Sequence, residues 1–307
     1  RRAAALRRYR ALLEKDIQRQ VFIQYLFFEQ WFALKAYANK KGISVFGDMP
    51  IYVAEDSADA WANPEVFQLD RDRRPLGIAG VPPDYFSADG QRWGNPLYDW
   101  PYLKRTGYRW WLDRLEAMGR IFDIMRVDHF IGFANYYAVP AKDSHARNGT
   151  WHPGPGKSLF DVVARELPDM RIVAEDLGAV SPQVRKLLDA TGYPGMKVMT
   201  FAFSGDAFNE HLPKYHKENN VVYTGTHDNN TLLGWWARAS HQEKHNTLLA
   251  LGIRHDEEFT QAFLRGTLQS RARIAIIPMQ DILRLGESAR MNLPGTIGGN
   301  WLWRRTR

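Results

Sequence analysis

The chain has 307 residues, 45% of them hydrophobic, which is enough for a large core, and 41 basic against 34 acidic residues leave a formal charge of +7. It contains no cysteine, so it has neither a disulfide framework nor a thiolate metal site. No run approaches the ~18 apolar residues of a membrane span, and the N-terminus lacks the apolar core of a signal peptide.

The basic excess gathers at the ends, in Arg1-Arg2, Arg7-Arg8, Arg304-Arg305 and Arg307. A nucleic-acid groove would instead need a Lys/Arg stripe interleaved with aromatics. A cytoplasmic protein that binds neither nucleic acid nor membrane is expected.

Residues 3–40 show helical periodicity. Phe22, Leu26, Phe27, Trp31 and Leu34 recur at spacings of three and four, predicting a core-facing stripe, and Gly42 follows as a stop signal. The chain opens in this helix without a Met, from which a missing N-terminal portion is expected. Ile43-Ser-Val-Phe-Gly-Asp48 then predicts a buried strand ended by an acid. A stretch of about 52–100, rich in Pro, Gly, Asp and aromatics, predicts a long irregular insertion, and such loops are usually functional.

A helix is predicted over 104–118, followed by the strand Ile124-Met-Arg-Val-Asp128. A second irregular insertion covers about 140–157. Strand 171–175 leads to a helix over 181–190, where Ser181-Pro182 supplies an N-cap and first turn. The apolar run 196–203, strand 221–225, helices within 231–267 and the run Ile274-Ala-Ile-Ile follow.

Six β-like runs alternating with helices are the signature of a parallel α/β fold. No GxGxxG or GxxxxGK[ST] turn follows any of them, which argues against nucleotide binding. Acids at the ends of several strands favour a (β/α)8 TIM-type barrel, which draws its active site from many strand ends. One catalytic unit spanning 1–307, with the two insertions, is the expected organisation.

The acids define the chemistry. Asp128, Glu175 and Asp228 each close an apolar run, and the 47-residue separation of the first two fits one strand–helix unit with an inserted loop. Glycosidic-bond cleavage needs two carboxyls, one to attack or stabilise the anomeric carbon and one, with a raised pKa, to protonate the leaving oxygen. Alternation along the strand puts Arg126 on the face of Asp128, where a fixed cation favours the carboxylate. His129 and His227 are placed to meet sugar hydroxyls.

Local explanations also stand at this point. An Asp at a strand end is often a cap or turn residue, Arg126 with Asp128 also reads as a structural ion pair, and His227-Asp228-Asn229-Asn230 also reads as a cap for the helix near Thr231. The acids lie on separate strands, so no metal is expected.

Several longer motifs carry a family resemblance. Arg126-Val-Asp-His-Phe-Ile-Gly-Phe, Ala174-Glu-Asp-Leu-Gly and Tyr223-Thr-Gly-Thr-His-Asp-Asn-Asn-Thr resemble those of the amylomaltases, or 4-α-glucanotransferases, of the α-amylase clan. Gly47-Asp-Met-Pro-Ile-Tyr-Val-Ala-Glu-Asp, Pro82-Pro-Asp-Tyr-Phe-Ser, Gly90-Gln-Arg-Trp-Gly-Asn-Pro, Ala289-Arg-Met-Asn-Leu-Pro-Gly-Thr and Gly299-Asn-Trp also match.

The resemblance implies transfer of α-1,4-glucan segments between maltooligosaccharides by a retaining double displacement, without a cofactor. It implies Asp128 as nucleophile, Glu175 as acid and then base, and Asp228 as transition-state stabiliser. Arg126, His129, His227 and Asp48 would support them at the substrate. Tyr85 and Phe86 would belong to a lid over the acceptor side, with Trp93 nearby and Asn300 as a further substrate contact. Hydrolysis by the same machinery, or an inactive carbohydrate-binding fragment, are the alternatives. Members carry two more strands before the one holding Asp48, so a barrel lacking its first two strands is expected, and Ile131 stands where many members have Arg.

Overall fold

A computed structural model describes residues 3–83, 87–178, 180–252 and 259–305. Helices α1 (Ala3–Leu12) and α2 (Glu14–Lys40) lead into strand β1 (Phe46–Met49). Helix α3 (Ala58–Ala62) precedes β2 (Gly77–Val81) and β3 (Gln91–Pro96). Helices α4 (Trp100–Arg105) and α5 (Arg109–Ile121) are followed by β4 (Ile124–Val127), α6 (Ile131–Ala134), β5 (Asn135–Pro140) and β6 (Thr150–Pro153). Then come α7 (Lys157–Glu166), β7 (Ile172–Ala174), α8 (Pro182–Thr191), β8 (Gly195–Val198) and β9 (Asn220–Tyr223). Helices α9 (Leu232–Arg238), α10 (His241–Leu251) and α11 (Phe259–Leu268), strand β10 (Ile274–Ile276) and helix α12 (Met279–Ile282) complete the order.

The six expected apolar runs form one parallel sheet in the order β1-β4-β7-β8-β9-β10, curled as a half-barrel. Apart from the inserted β2, β3, β5 and β6, neighbours in the sheet follow one another in sequence, as crossover connections between parallel strands produce. Alternation sorts the side chains. Phe46, Ile124, Val173, Met196, Val221 and Tyr223 pack together on the inner face. Met49, Met125, Val127, Ile172 and Ala174 pack outward against Trp111, Leu115, Phe160 and Leu187 of the helices. A second outer cluster joins Met199, Phe203 and Val222 to Phe259 and Phe263.

Three expectations are corrected. The insertions at 52–100 and 140–157 are not irregular throughout, since β3-β2-β5-β6 form a four-stranded antiparallel sheet. It closes on its own small core of Ile78, Tyr137, Val139 and Ala146. The helix expected over 104–118 begins as α4, breaks at Gly107 and Tyr108, both with positive φ, and resumes as α5.

The stripe on α2 does not face a core. Phe22, Leu26, Phe27 and Leu34 are exposed. Of the stripe, Trp31 reaches the body, donating from its indole Nε1 to the Ile121 carbonyl at 3.0 Å and meeting Phe122 edge-on, and Lys35 and Asn39 beside it bond to Arg120 and Asp123. The physical reason is position. α2 leads into β1, an edge of the sheet, and packs on the end of α5; no described strand lies beyond that edge for the stripe to cover. No described helix is long and apolar enough to cross a membrane.

Candidate active site

Asp48 and Arg126 are register partners across β1 and β4, so both side chains leave the sheet on its inner face. Arg126 donates from Nη1 to both oxygens of Asp48 at 2.7 Å, and its Nη2 lies 2.8 Å from Asp128 Oδ1. The guanidinium is 8% exposed while Asp48 and Asp128 are 42% and 40% exposed, so one buried cation serves two carboxylates that open to solvent. Burial works against the charge on Arg126, but Asp128, Asp48 and Glu175 outweigh it and hold its pKa above the usual value. Asp48 sits inside β1 rather than ending it, with Met49 following. Asp128 caps nothing: α6 has no side-chain cap, and the Asp128 N–H is taken by the Met49 carbonyl at 2.9 Å.

Glu175 follows β7, which pairs directly with β4, so its side chain meets the end of the strand next door. Its Oε2 accepts from the His129 N–H at 2.7 Å and its Oε1 from the Leu177 N–H at 2.8 Å. Burial pushes the carboxyl up to about 7, with Asp128 pushing the same way, against Arg126 and the two backbone donors. A carboxyl with that pKa exists in both protonation states at neutral pH, as an acid that later serves as base must.

His129 takes a left-handed backbone, φ +49°. This conformation is unusual for a non-glycine residue, and it accompanies the aiming of its N–H at Glu175. The imidazole is buried, which depresses its pKa to about 4 and keeps it neutral. Trp93 of β3 meets its ring edge-on at 4.8 Å, and His129 Nε2 has no partner among the described residues.

Asp228 lies in the loop after β9. Its Oδ2 is 3.4 Å from His227 Nε2, and its Oδ1 accepts from the Asn292 amide at 2.6 Å. Arg290 Nη2 donates to its backbone carbonyl at 2.6 Å, and Asn292 N–H to the His227 carbonyl at 3.1 Å. Within the loop, Asn229 Oδ1 accepts from the Thr226 N–H and hydroxyl at 2.7 and 2.9 Å. Thr231 itself caps α9, its hydroxyl accepting from Gly234 N–H, so His227 and Asp228 are left free of that task.

Arg126 and His227 share the wall of a cavity of about 260 Å³ with Tyr223, Arg290 and Trp301. Trp93, Glu55 and Asp56 line a second, more open hollow of about 520 Å³. Asp48, Arg126, Asp128, His129, Glu175 and Trp93 are thus joined by direct contacts, and His227 with Asp228 connects through the cavity that Arg126 lines. Asn300 makes no hydrogen bond to the carboxylates among the described residues. Its amide closes its own loop, accepting from Leu293 N–H and donating to Thr296. Tyr85 and Phe86 lie outside the described residues.

Sequence reasoning missed Arg290 and Asn292, although the stretch Ala289-Arg-Met-Asn had stood out as a motif. It also missed Tyr223, whose buried hydroxyl has no partner among the described residues. Asp176, the acid next to Glu175, does local structural work instead: its Oδ1 accepts the Met196 N–H at 2.6 Å and its Oδ2 lies 4.0 Å from Lys197.

With this geometry in place, comparison with known proteins is informative. A profile described as 4-alpha-glucanotransferase matches residues 1–307. A 4-alpha-glucanotransferase of Synechocystis is 50% identical over 295 residues, 95% of this chain and 58% of that protein. A chloroplastic/amyloplastic one from Solanum tuberosum is 48% identical over 304 residues, 97% of this chain and 53% of that protein. The amylomaltase of Streptococcus agalactiae, solved in complex with acarbose, superposes with a TM-score of 0.97 at 42% identity, covering 100% of this chain and 62% of that one. The chain therefore spans a little over half the length of the relatives it matches.

Proposed function

The chain belongs to the 4-alpha-glucanotransferase family, and from that premise we propose that it moves α-1,4-glucan segments between maltooligosaccharides by a retaining double displacement. The observation that carries the proposal is Glu175, a buried carboxyl with its pKa near 7, one strand from an Asp128 paired to a buried guanidinium.

In the first step Asp128 attacks the anomeric carbon while Glu175 gives its proton to the departing glycosidic oxygen. The C–O bond breaks and a β-linked glycosyl ester forms on Asp128. In the second step an acceptor sugar hydroxyl attacks the same carbon, Glu175 takes the hydroxyl proton, and the ester bond breaks. Two inversions give net retention. Asp228 stabilises the positive charge that develops on the ring between these states. Asp48, His129 and His227 hold sugar hydroxyls, and Arg126 fixes the nucleophile. Trp93, with Tyr85 and Phe86, belongs to the acceptor side, where a flat ring suits the apolar face of a pyranose. Asn300 contributes through the loop that it closes.

The half-barrel is read here as part of a (β/α)8-type barrel, with the antiparallel sheet as its main insertion and 1–307 as one catalytic unit. No cofactor or metal enters the scheme, and the partners are α-1,4-glucans and maltooligosaccharides. A cytoplasmic setting completes the proposal, with a plastid as the alternative that the potato relative represents.

Incubation with maltotriose tests it. Glucose together with maltotetraose and longer products, at constant total reducing ends, is the expected result. A rise in reducing ends would mean hydrolysis, and unchanged maltotriose would contradict the proposal.

A further inference from the structure

Asp281 is an acid that the chemistry above does not use, yet it is 2% exposed. It lies in α12, just after β10, and its two oxygens are engaged separately. Oδ2 accepts from the Thr224 hydroxyl at 2.6 Å, and Oδ1 accepts from the Leu232 backbone N–H at 2.7 Å. Thr224 is the first residue after β9 and is fully buried, while Leu232 is the first residue of α9. The segment between them is the loop that carries His227 and Asp228.

One carboxylate therefore grips both ends of that loop from the neighbouring strand's terminus. Burying a carboxylate is costly unless its hydrogen bonds are made, and here both bonds made go to the two ends of a single loop. Arg290 and Asn292 hold the same loop at its tip. The stem and the tip are thus fixed by different parts of the chain.

Resting on the role proposed above for Asp228, we infer that Asp281 is a positioning residue: it sets the geometry of the 225–231 loop and, through it, the placement of Asp228 against the sugar. Displacements of about 1 Å at a reacting centre cost on the order of 100-fold in rate, so loosening the stem lowers kcat rather than substrate affinity.

The test compares Asp281→Ala, Thr224→Val and Asp281→Asn in the full chain. Ala removes the grip, and Val removes one half of it at equal size. Asn keeps it, because its Oδ1 can take the Leu232 N–H while the Thr224 hydroxyl turns to accept from Nδ2. The expected result is a kcat loss of roughly 10- to 100-fold for Ala and a smaller loss for Val, with KM changed about threefold or less. Asn should stay within a few-fold of wild type.

Hydrogen–deuterium exchange should accelerate at the amides of 226–231 in the Ala and Val variants, and not in β4 or α5. Variants that melt earlier but keep both kcat and loop protection would overturn the inference and leave Asp281 a purely structural group. Should the Ala variant fail to fold, Thr224→Val decides by the same two readouts. If the wild-type chain performs no transfer, the proposed function fails, and the exchange comparison still confirms or refutes the grip on the loop.

Discussion

The two flanks of the candidate site are held by different physics. On the β1–β4 side, a guanidinium that is 8% exposed binds Asp48 twice and Asp128 once. On the β9 side, Asp228 is held by the Asn292 amide, the backbone and His227, in a loop fixed at its stem by Asp281. The first flank is charge-held and built on strands. The second is held by hydrogen bonds and built on loops. A nucleophile must stay in one place, which a buried cation on a strand provides. A group that steadies a transient charge needs a set distance instead, and here an amide on the carboxylate and an arginine on the backbone carbonyl supply it.

The difference can be broken from the charge-held side with the largest effect. Arg126→Met should leave Asp48, Asp128 and Glu175 facing one another without their cation, and kcat for maltotriose disproportionation should fall by about 10³-fold or more. A variant within tenfold of wild type would show that the guanidinium is only a structural partner.

The next effect is on stability. The folded pKa of Glu175, about 7, lies above the 4.5 of a free glutamate, so the folded state binds this proton more tightly than the unfolded state does. Its contribution is fully present below about pH 4.5 and is lost as pH rises to about 7. At about 1.4 kcal/mol per pKa unit this amounts to about 3 kcal/mol. Glu175→Gln should remove that slope, so denaturant melts at pH 5 and pH 8 should differ less in the variant than in wild type by roughly this amount. An unchanged slope would count against a perturbed Glu175.

The loop-held side should give the smallest loss. Asn292→Ala removes the donor to Asp228 Oδ1, but Asp228 is 42% exposed, so water can replace the amide. A kcat decrease of about tenfold is expected, with kcat/KM falling in parallel. A loss as large as that of Arg126→Met would erase the distinction between the flanks.

The charge-held flank was the more legible one, since on the other only Asp228 and His227 stood out and not the Arg290 and Asn292 that hold them. Strands buried on both faces read as continuous apolar runs, and all six such runs appear in the parallel sheet. Asp128 and Glu175 are marked by their place at the ends of those runs, and Arg126 by alternation. The antiparallel sheet left no such signal. Gly77-Ile-Ala-Gly-Val81 and Gln91-Arg-Trp-Gly-Asn-Pro96 mix glycine, proline and polar residues, and β2 pairs with β5 some sixty residues away. Pairing at that range is decided by the assembled fold.

Periodicity on α2 was real as a helix, but periodicity cannot say what lies against a face. Asn292 and Arg290 reach Asp228 from 62 to 64 residues away, and no spacing rule connects them. The left-handed backbone of His129 is likewise invisible in a string of letters, since nothing about histidine requires it.

The central claim is that Asp128 and Glu175 divide the chemistry between nucleophile and proton carrier. α-Maltosyl fluoride tests it directly in Glu175→Gln, because fluoride departs without a proton whereas turnover of the ester needs the missing base. Peptide mass mapping after this treatment should find a maltosyl ester on Asp128, accumulating in the variant and not in wild type. An adduct on another residue, or wild-type turnover of maltotriose by Glu175→Gln, would contradict the assignment.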